Sequence, residues 1–536
     1  MTRWGRTATL LFKPGVYGSA AEPLILKVGY YTEVAGLGIL PTDVVINGHV
    51  DVYNRCLQNG VANCLALVNF WRSLSNLTIN VQSAGLDGCR ASANFWAVSQ
   101  ASPMRRVIIN NANLSLMDYC TAGPQYASGG FIADSDLPYV INGSQQQFLV
   151  RSSQVDGWSN GVWNQVFAGV LGAPATSFPN PPYTTLDTSP VTREKPFLYI
   201  GDDDQYYVFV ADPSVDSAGV SWDGGLPPGR SIPIGDFFLA RPTDSARRIN
   251  QQLQRGKHLI FTPGVYQIDR RIMVNRRDTV VLGMGLATLV PTRGNLVMRV
   301  SDGPRMTLAG LMFDAGPQNS RVLLQIGTRG VSNGRTDPTY PTLLADVFFR
   351  IGGPAAGKAT TTLLVNSDNV ILDHIWAWRA DHGFGVGWNV NTADTGVIVN
   401  GDYVTAYGLF VEHYQKHHTI WNGENGMTIM YQNELPYDPP SQAAWEENGV
   451  NGYTAYLVSD WVETHEAWGL GSYSYFNQGL DIRAERAFQV PVTPGVSMHN
   501  LLTVFLDGSG GIDHVINDTG APVNSGNQLS TVVSYP

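Results

Sequence analysis

Charge is scarce in this chain. Only 15% of its 536 residues are Asp, Glu, Lys or Arg, against about 25% in an average soluble protein. The 34 basic residues are outnumbered by 44 acidic ones, leaving a net charge of −10. No run of Lys and Arg stands out, so the surface repels phosphate backbones and acidic polysaccharides, and no nucleic-acid partner is expected. No stretch of 18 apolar residues occurs, which excludes a membrane-spanning helix and leaves no membrane partner to expect. The N-terminal Met1-Thr2-Arg3-Trp4-Gly5-Arg6 lacks the apolar core of a secretory leader. Gly-rich phosphate loops and Ser nucleophile elbows are missing. Cysteine is limited to Cys56, Cys64, Cys89 and Cys120, all in the first quarter. An even, clustered set suits an oxidising compartment. Of three possible pairings, Cys56–Cys64 with Cys89–Cys120 is the most economical. The expectation is a secreted protein whose leader is absent from this sequence.

Hydrophobic residues, by contrast, make up 43%, and turn formers abound, with Gly 57 and Pro 31. The balance favours strands, turns and loops over helical bundles. The clearest internal feature is a repeat. Leu10-Leu11-Phe12-Lys13-Pro14-Gly15-Val16-Tyr17 returns as Leu259-Ile260-Phe261-Thr262-Pro263-Gly264-Val265-Tyr266. Val34-Ala35-Gly36-Leu37-Gly38 is echoed by Val281-Leu282-Gly283-Met284-Gly285, and Leu74 to Ile79 by Leu308 to Phe313. The drifting offset marks a duplication with loop changes. Before the second copy, Asp244 or Ser245 can cap a helix from Ala246 to Arg255 that Gly256 stops; the first copy has no equivalent.

Short apolar strands recur inside each copy, among them Val107-Ile108-Ile109, Val370-Ile371-Leu372, Val397-Ile398-Val399, Leu409-Phe410-Val411 and Thr428-Ile429-Met430. A return every 20–25 residues or so suits the coils of a right-handed parallel β-helix. The expected architecture is all-β, two tandem right-handed single-stranded parallel β-helices packed side by side. Residues 1–171 form the first, 243–536 the second, and the Pro-rich span 172–242 connects them.

The densest polar and aromatic segment runs from residue 370 to 440. Glu412 and Glu434 each follow an apolar strand, 22 residues apart. On neighbouring coils their backbones stand about 4.8 Å apart, and a close carboxylate pair raises the pKa of one member, as a general acid requires. Trp376, Trp378, Trp421, Tyr414, Tyr431 and Tyr437 are candidate platforms for pyranose rings, although each taken alone fits a core or coil-stacking position better, and it is the cluster beside two Glu residues that argues for a sugar site. In the first copy Gln145, Gln146, Gln147 and Gln165, with Trp163, form a second polar cluster whose neutral amides can position a water. A ladder of amides between coils is the plainer reading. His413, His417 and His418 lie close but converge with no further ligand, so no metal and no cofactor are expected.

The tandem Phe-x-Pro-Gly-Val-Tyr motifs, with Gly408-Leu409-Phe410-Val411-Glu412-His413 and Tyr431-Gln432-Asn433-Glu434-Leu435-Pro436-Tyr437-Asp438-Pro439-Pro440, resemble glycoside hydrolase family 55 over nearly the whole chain. A monomer is expected. The resemblance implies inverting, mainly exo-acting hydrolysis of β-1,3-glucan. It puts the general acid on Glu434, a second acidic position on Glu412, and the attacking water, loosely, on Gln145, Gln146, Gln147 and Gln165. Carboxyls about 5 Å apart normally mean retention, and inverting pairs stand roughly 6.5–9.5 Å apart. Glu412 is therefore expected to tune the acid or bind sugar rather than activate water. The rivals are a β-helix polysaccharide lyase, which needs a basic groove, and a non-catalytic carbohydrate-binding solenoid.

Overall fold

The computed structural model describes residues 7–56, 64–65, 67–120, 127–143, 146–159, 162–328 and 336–536, with only the backbone for 55, 56, 64 and 65. The chain forms two compact units. One comprises Arg6–Phe237 with Met284–Leu286, the other Phe238–Gly283 with Ala287–Pro536.

In the second unit each coil adds one strand to each of two parallel sheets. The first sheet stacks His258–Phe261, Val280–Pro291, Thr307–Asp314, Thr342–Ile351, Val370–Arg379, Val404–Glu412, Gly426–Glu434, His465–Ser474 and Val496–Phe505 in order. The second stacks nine shorter strands, from Ile272–Val274 to Gly511–Ile516. This is a parallel β-helix. Its interior is a single apolar cluster in which like positions of successive coils meet, such as Leu344, Leu372 and Ala406, or Val347, Ile375 and Leu409. The expected helix is present as Ala246–Gln254. Ser245 caps it by accepting a hydrogen bond from the Arg248 amide, and Ala246, Ile249 and Leu253 are buried. At the other end Leu529–Tyr535 pairs antiparallel to Val496–Phe505, covering an edge that would otherwise offer unpaired amides.

The expected three- and four-residue strands of the first sheet are halves of longer ones. Val370–Arg379, Val404–Glu412 and Gly426–Glu434 run through the apolar triplets without a break. Each bends at one residue in the left-handed region. Gly310, Asp346, His374, Gly408, Met430, Gly469 and Asn500 have φ from +52° to +69°, and they occupy the register positions that the parallel pairing skips. A column of single αL residues thus turns these seven strands at the same height. Apolar triplets look like separate strands because the bend costs one residue rather than a loop.

The first unit repeats the scheme. Its corner column is Asn76, Arg106, Asp134, Ser152 and Gly169, with φ from +45° to +58°. The duplicated motif has the same local structure in both copies. Leu10 pairs with Val34 and Leu259 with Val281. The Phe12 and Tyr17 rings meet edge to face at 4.8 Å, those of Phe261 and Tyr266 at 4.9 Å. Each tyrosine hydroxyl returns to a main-chain carbonyl, of Lys13 or Thr262. The span 172–237 packs within the first unit and adds two small antiparallel sheets. Arg151 holds its Glu194 at 2.6 and 3.0 Å, and Asp134 accepts from the Ser221 amide at 2.6 Å. Cys89 and Cys120 are joined as a disulfide. The backbones of Cys56 and Cys64 pair across two short strands, and their side chains lie outside the described residues.

The corner column yields a direct check. Gly408→Ala forces a Cβ into the left-handed region, which costs about 1–2 kcal/mol, so the variant's denaturation midpoint falls well below that of wild type. An unchanged midpoint would mean that the coils do not depend on this bend.

Candidate active site

Three successive strands of the second unit end side by side. Val370–Arg379 runs on to Asp381 and His382, Val404–Glu412 to His413, and Gly426–Glu434 to Tyr437. Parallel register sets Trp376 beside Phe410 and Phe410 beside Gln432, and Trp378 beside Glu412. Side chains two apart on a strand share a face. Ile375, Ala377, Leu409, Val411 and Tyr431 therefore enter the apolar interior, while Trp376, Trp378, Glu412, Gln432 and Glu434 take the opposite face.

At the strand ends a chain of ionisable groups leads outward. The Glu434 side chain is 9% exposed and that of His413 3%, whereas Asp381 is 21% and His382 39% exposed. His413 Nε2 stands 3.8 Å from Glu434 Oε2 and 3.8 Å from Asp381 Oδ1. Asp381 Oδ1 also lies 2.9 Å from His382 Nδ1 and accepts from the Trp378 indole at 3.2 Å. The Tyr437 hydroxyl donates to Glu434 Oε2. His413 is fixed at its main-chain N–H by the Glu434 carbonyl, 2.8 Å away, and at Nδ1 by the Leu435 carbonyl at 3.1 Å.

Burial raises the pKa of Glu434 above the usual glutamate value. His413 and the Tyr437 hydrogen bond oppose that rise, and the charge of Asp381 adds to it. Asp381 goes the other way. Against the upward push of burial, the His382 hydrogen bond and the charges of His413 and His382 hold its carboxyl well below the carboxylate range. His382 is itself raised: burial lowers it, but the Asp381 hydrogen bond and charge prevail. Tyr437 is pushed far up by burial and by Glu434, so its phenol keeps the proton it donates. A carboxyl with a raised pKa thus sits near a carboxylate with a lowered one, an arrangement suited to delivering a proton from Glu434.

Several expected roles change. The carboxylate acting on Glu434 is Asp381 rather than Glu412. Glu412 is 2% exposed and accepts from the Trp376 indole at 2.8 Å and from the Gln432 amide at 3.4 Å. Trp421, Tyr414 and Tyr431 are completely buried in the apolar interior, so they cannot stack on a sugar; their alternation placed them on the inward face. Trp376 and Trp378 stack on each other at 5.0 Å and present their N–H groups to Glu412 and Asp381. Tyr437 touches the acid itself.

In the first unit Gln147 and Gln165 are fully buried, with Asn142 Nδ2 donating to Gln165 Oε1 at 2.5 Å. The Gln146 side-chain Oε1 is buried without a partner among the described residues. Trp163 is half-buried, and Gln145 lies outside the described residues. Asp381 and His413 were missed as partners of the acid, although both stand just past strand ends in the segment rich in polar and aromatic residues.

Residues 237–434 match the LAM55 pectate lyase-like domain family. An exo-β-1,3-glucanase of Streptomyces sp. (strain SirexAA-E / ActE) is 49% identical over 529 residues, covering 98% of this chain and 84% of that protein. The solved structure of sacteLam55A from Streptomyces sp. SirexAA-E superposes with a TM-score of 0.92 at 49% identity, covering 99% of this chain and 93% of that one. A variant of it in complex with glucose gives a TM-score of 0.91 at 48% identity, covering 99% and 92%.

The raised pKa of Glu434 has a consequence for stability. A carboxyl that holds its proton more tightly when folded contributes stability below the ordinary glutamate pKa, and that contribution is lost as pH rises through the folded-state value. Glu434→Gln stays neutral and escapes the loss. Its melting temperature should therefore rise relative to wild type on going from acidic to neutral pH; a constant difference would mean that Glu434 ionises freely.

Proposed function

The chain belongs to glycoside hydrolase family 55, the exo-β-1,3-glucanases, and from that premise we propose that Glu434 is the general acid with which it hydrolyses β-1,3-glucan. The observation that carries this reading is the burial of Glu434 beside His413, Asp381 and Tyr437. Burial raises its pKa above the usual glutamate value, and the partly exposed Asp381 and His382 mark the open side from which a glycosidic oxygen reaches it. Protonating that oxygen makes the departing sugar a neutral alcohol while positive charge develops at the anomeric carbon. Ionised Asp381, on the same rim, favours that charge electrostatically.

Glu412 supports rather than attacks. Its carboxylate is buried and engaged by Trp376 and Gln432, so it is not poised as a nucleophile. Without a covalent partner, water displaces the leaving group directly and the anomeric configuration inverts. Neither rival retains support. A net charge of −10 disfavours a uronic polymer, and a relative matched over 98% of this chain is named an exo-β-1,3-glucanase. We also infer secretion: the Cys89–Cys120 disulfide suits an oxidising compartment, and a polymeric substrate lies outside the cell.

Glu434→Gln is isosteric and should lower turnover on laminarin by about 10²–10⁴-fold, the usual cost of losing a general acid, while glucan binding survives. Proton NMR of a fresh wild-type digest should show the α-anomer first. Near-normal turnover in the variant would remove Glu434 from the role, and a β-anomer would require a covalent intermediate.

A further inference from the structure

The two groups that touch the Glu434 carboxyl, Tyr437 and His413, come from different coils, and one buried side chain reaches the backbone or neighbour of both. Arg379 is 1% exposed at the end of its strand. Its Nη1 donates to Asp438 Oδ1 and its Nη2 to Asp438 Oδ2, both at 2.9 Å. Nη1 also donates to the His413 carbonyl at 3.1 Å, and Nε to the Asn391 carbonyl at 2.8 Å. Asn391 is itself locked. Its amide donates to the Ile351 and Ala380 carbonyls at 2.9 and 2.8 Å, and its oxygen accepts from the Gly387 amide. The guanidinium thus ties three coils and two loops to one point.

Asp438 directly follows Tyr437, so the fork that grips Asp438 fixes where the Tyr437 hydroxyl stands. The same guanidinium closes the main chain of His413, whose ring packs edge to face against the Tyr437 ring at 4.4 Å. We propose that the Arg379–Asp438 ion pair is the anchor that holds Tyr437 and His413 against Glu434, which makes Arg379 and Asp438 positioning residues for the acid. Neither touches the Glu434 carboxyl; they act through the two side chains that do. A planar bidentate fork suits this task because it fixes orientation as well as distance, which an ammonium does not. The inference rests on Glu434 being the acid.

Tyr437 and His413 both favour the ionised form of Glu434, which gives the anchor a signature that a merely structural pair lacks. Tyr437→Phe removes one stabilising hydrogen bond and should move the alkaline limb of the kcat/KM profile upward by about one pH unit. Asp438→Asn should move the limb in the same direction and lower turnover at neutral pH about tenfold, with KM changed little. Placed in the Tyr437→Phe background, Asp438→Asn should add only the part that passes through His413, so the double variant's shift falls short of the sum of the two single shifts. If Asp438→Asn does not fold, Arg379→Lys keeps the charge, loses the fork and should reproduce the shift. An unmoved limb in the folded variant, or shifts that add in full in the double variant, would overturn the anchor. Wild-type turnover by Glu434→Gln would instead remove the acid on which it rests. An inactive Glu434→Gln combined with an unmoved limb defeats the anchor alone.

Discussion

Parallel pairing in strict register between successive coils is the constraint on which the rest depends. In the second unit the strands from Thr307–Asp314 to Val496–Phe505 pair in parallel register, and each bends at the same height through one residue of positive φ. A slip of one residue would exchange the inward Ile375, Ala377, Leu409 and Val411 for the outward Trp376, Trp378, Phe410 and Glu412. It would also dissolve the row of strand ends. The same pairing that builds the apolar interior therefore aligns Asp381, His413 and Glu434 on consecutive coils, each within 3.8 Å of the next.

The chemistry is a product of depth along that row. Glu434 and His413 are buried, while Asp381 and His382 reach solvent. Burial dominates at Glu434, while partners dominate at Asp381. Tyr437 and Arg379 are what keep a buried carboxyl from being simply a cost. The phenol supplies a donor, and the guanidinium fixes the loop that carries it. Glu412, the more obvious second carboxylate, is engaged elsewhere by an indole and an amide.

Much of this was legible in the sequence because solenoids write their period into it. The 22-residue spacing of Glu412 and Glu434 is the true coil offset, as Phe410↔Gln432 shows. The Phe-x-Pro-Gly-Val-Tyr copies fold alike down to the ring contact, and Ser245 caps the helix that its position suggests. What stayed hidden has two physical causes. A single αL residue such as His374 or Met430 carries no turn signature, so bent strands read as separate short ones. An aromatic residue's exposure depends on which face of the strand it takes, so Tyr431 and Trp421 looked like sugar platforms while packing the interior. The identity of the acid's electrostatic partner was likewise unreadable. Asp381 is 53 residues away in sequence, and only the stacking of two coils brings it near through His413.

The claim at the centre is that Glu434 holds its proton because it is buried, and that this makes it the acid. It is tested most directly by infrared difference spectroscopy, following the protonated-carboxyl band as a function of pH in wild type and in Glu434→Gln. A band that is absent from the variant and persists in wild type above the ordinary glutamate range, disappearing along with the alkaline limb of kcat/KM, is the predicted result. A Glu434 band lost at or below the ordinary glutamate pKa, with activity continuing at higher pH, would contradict the account.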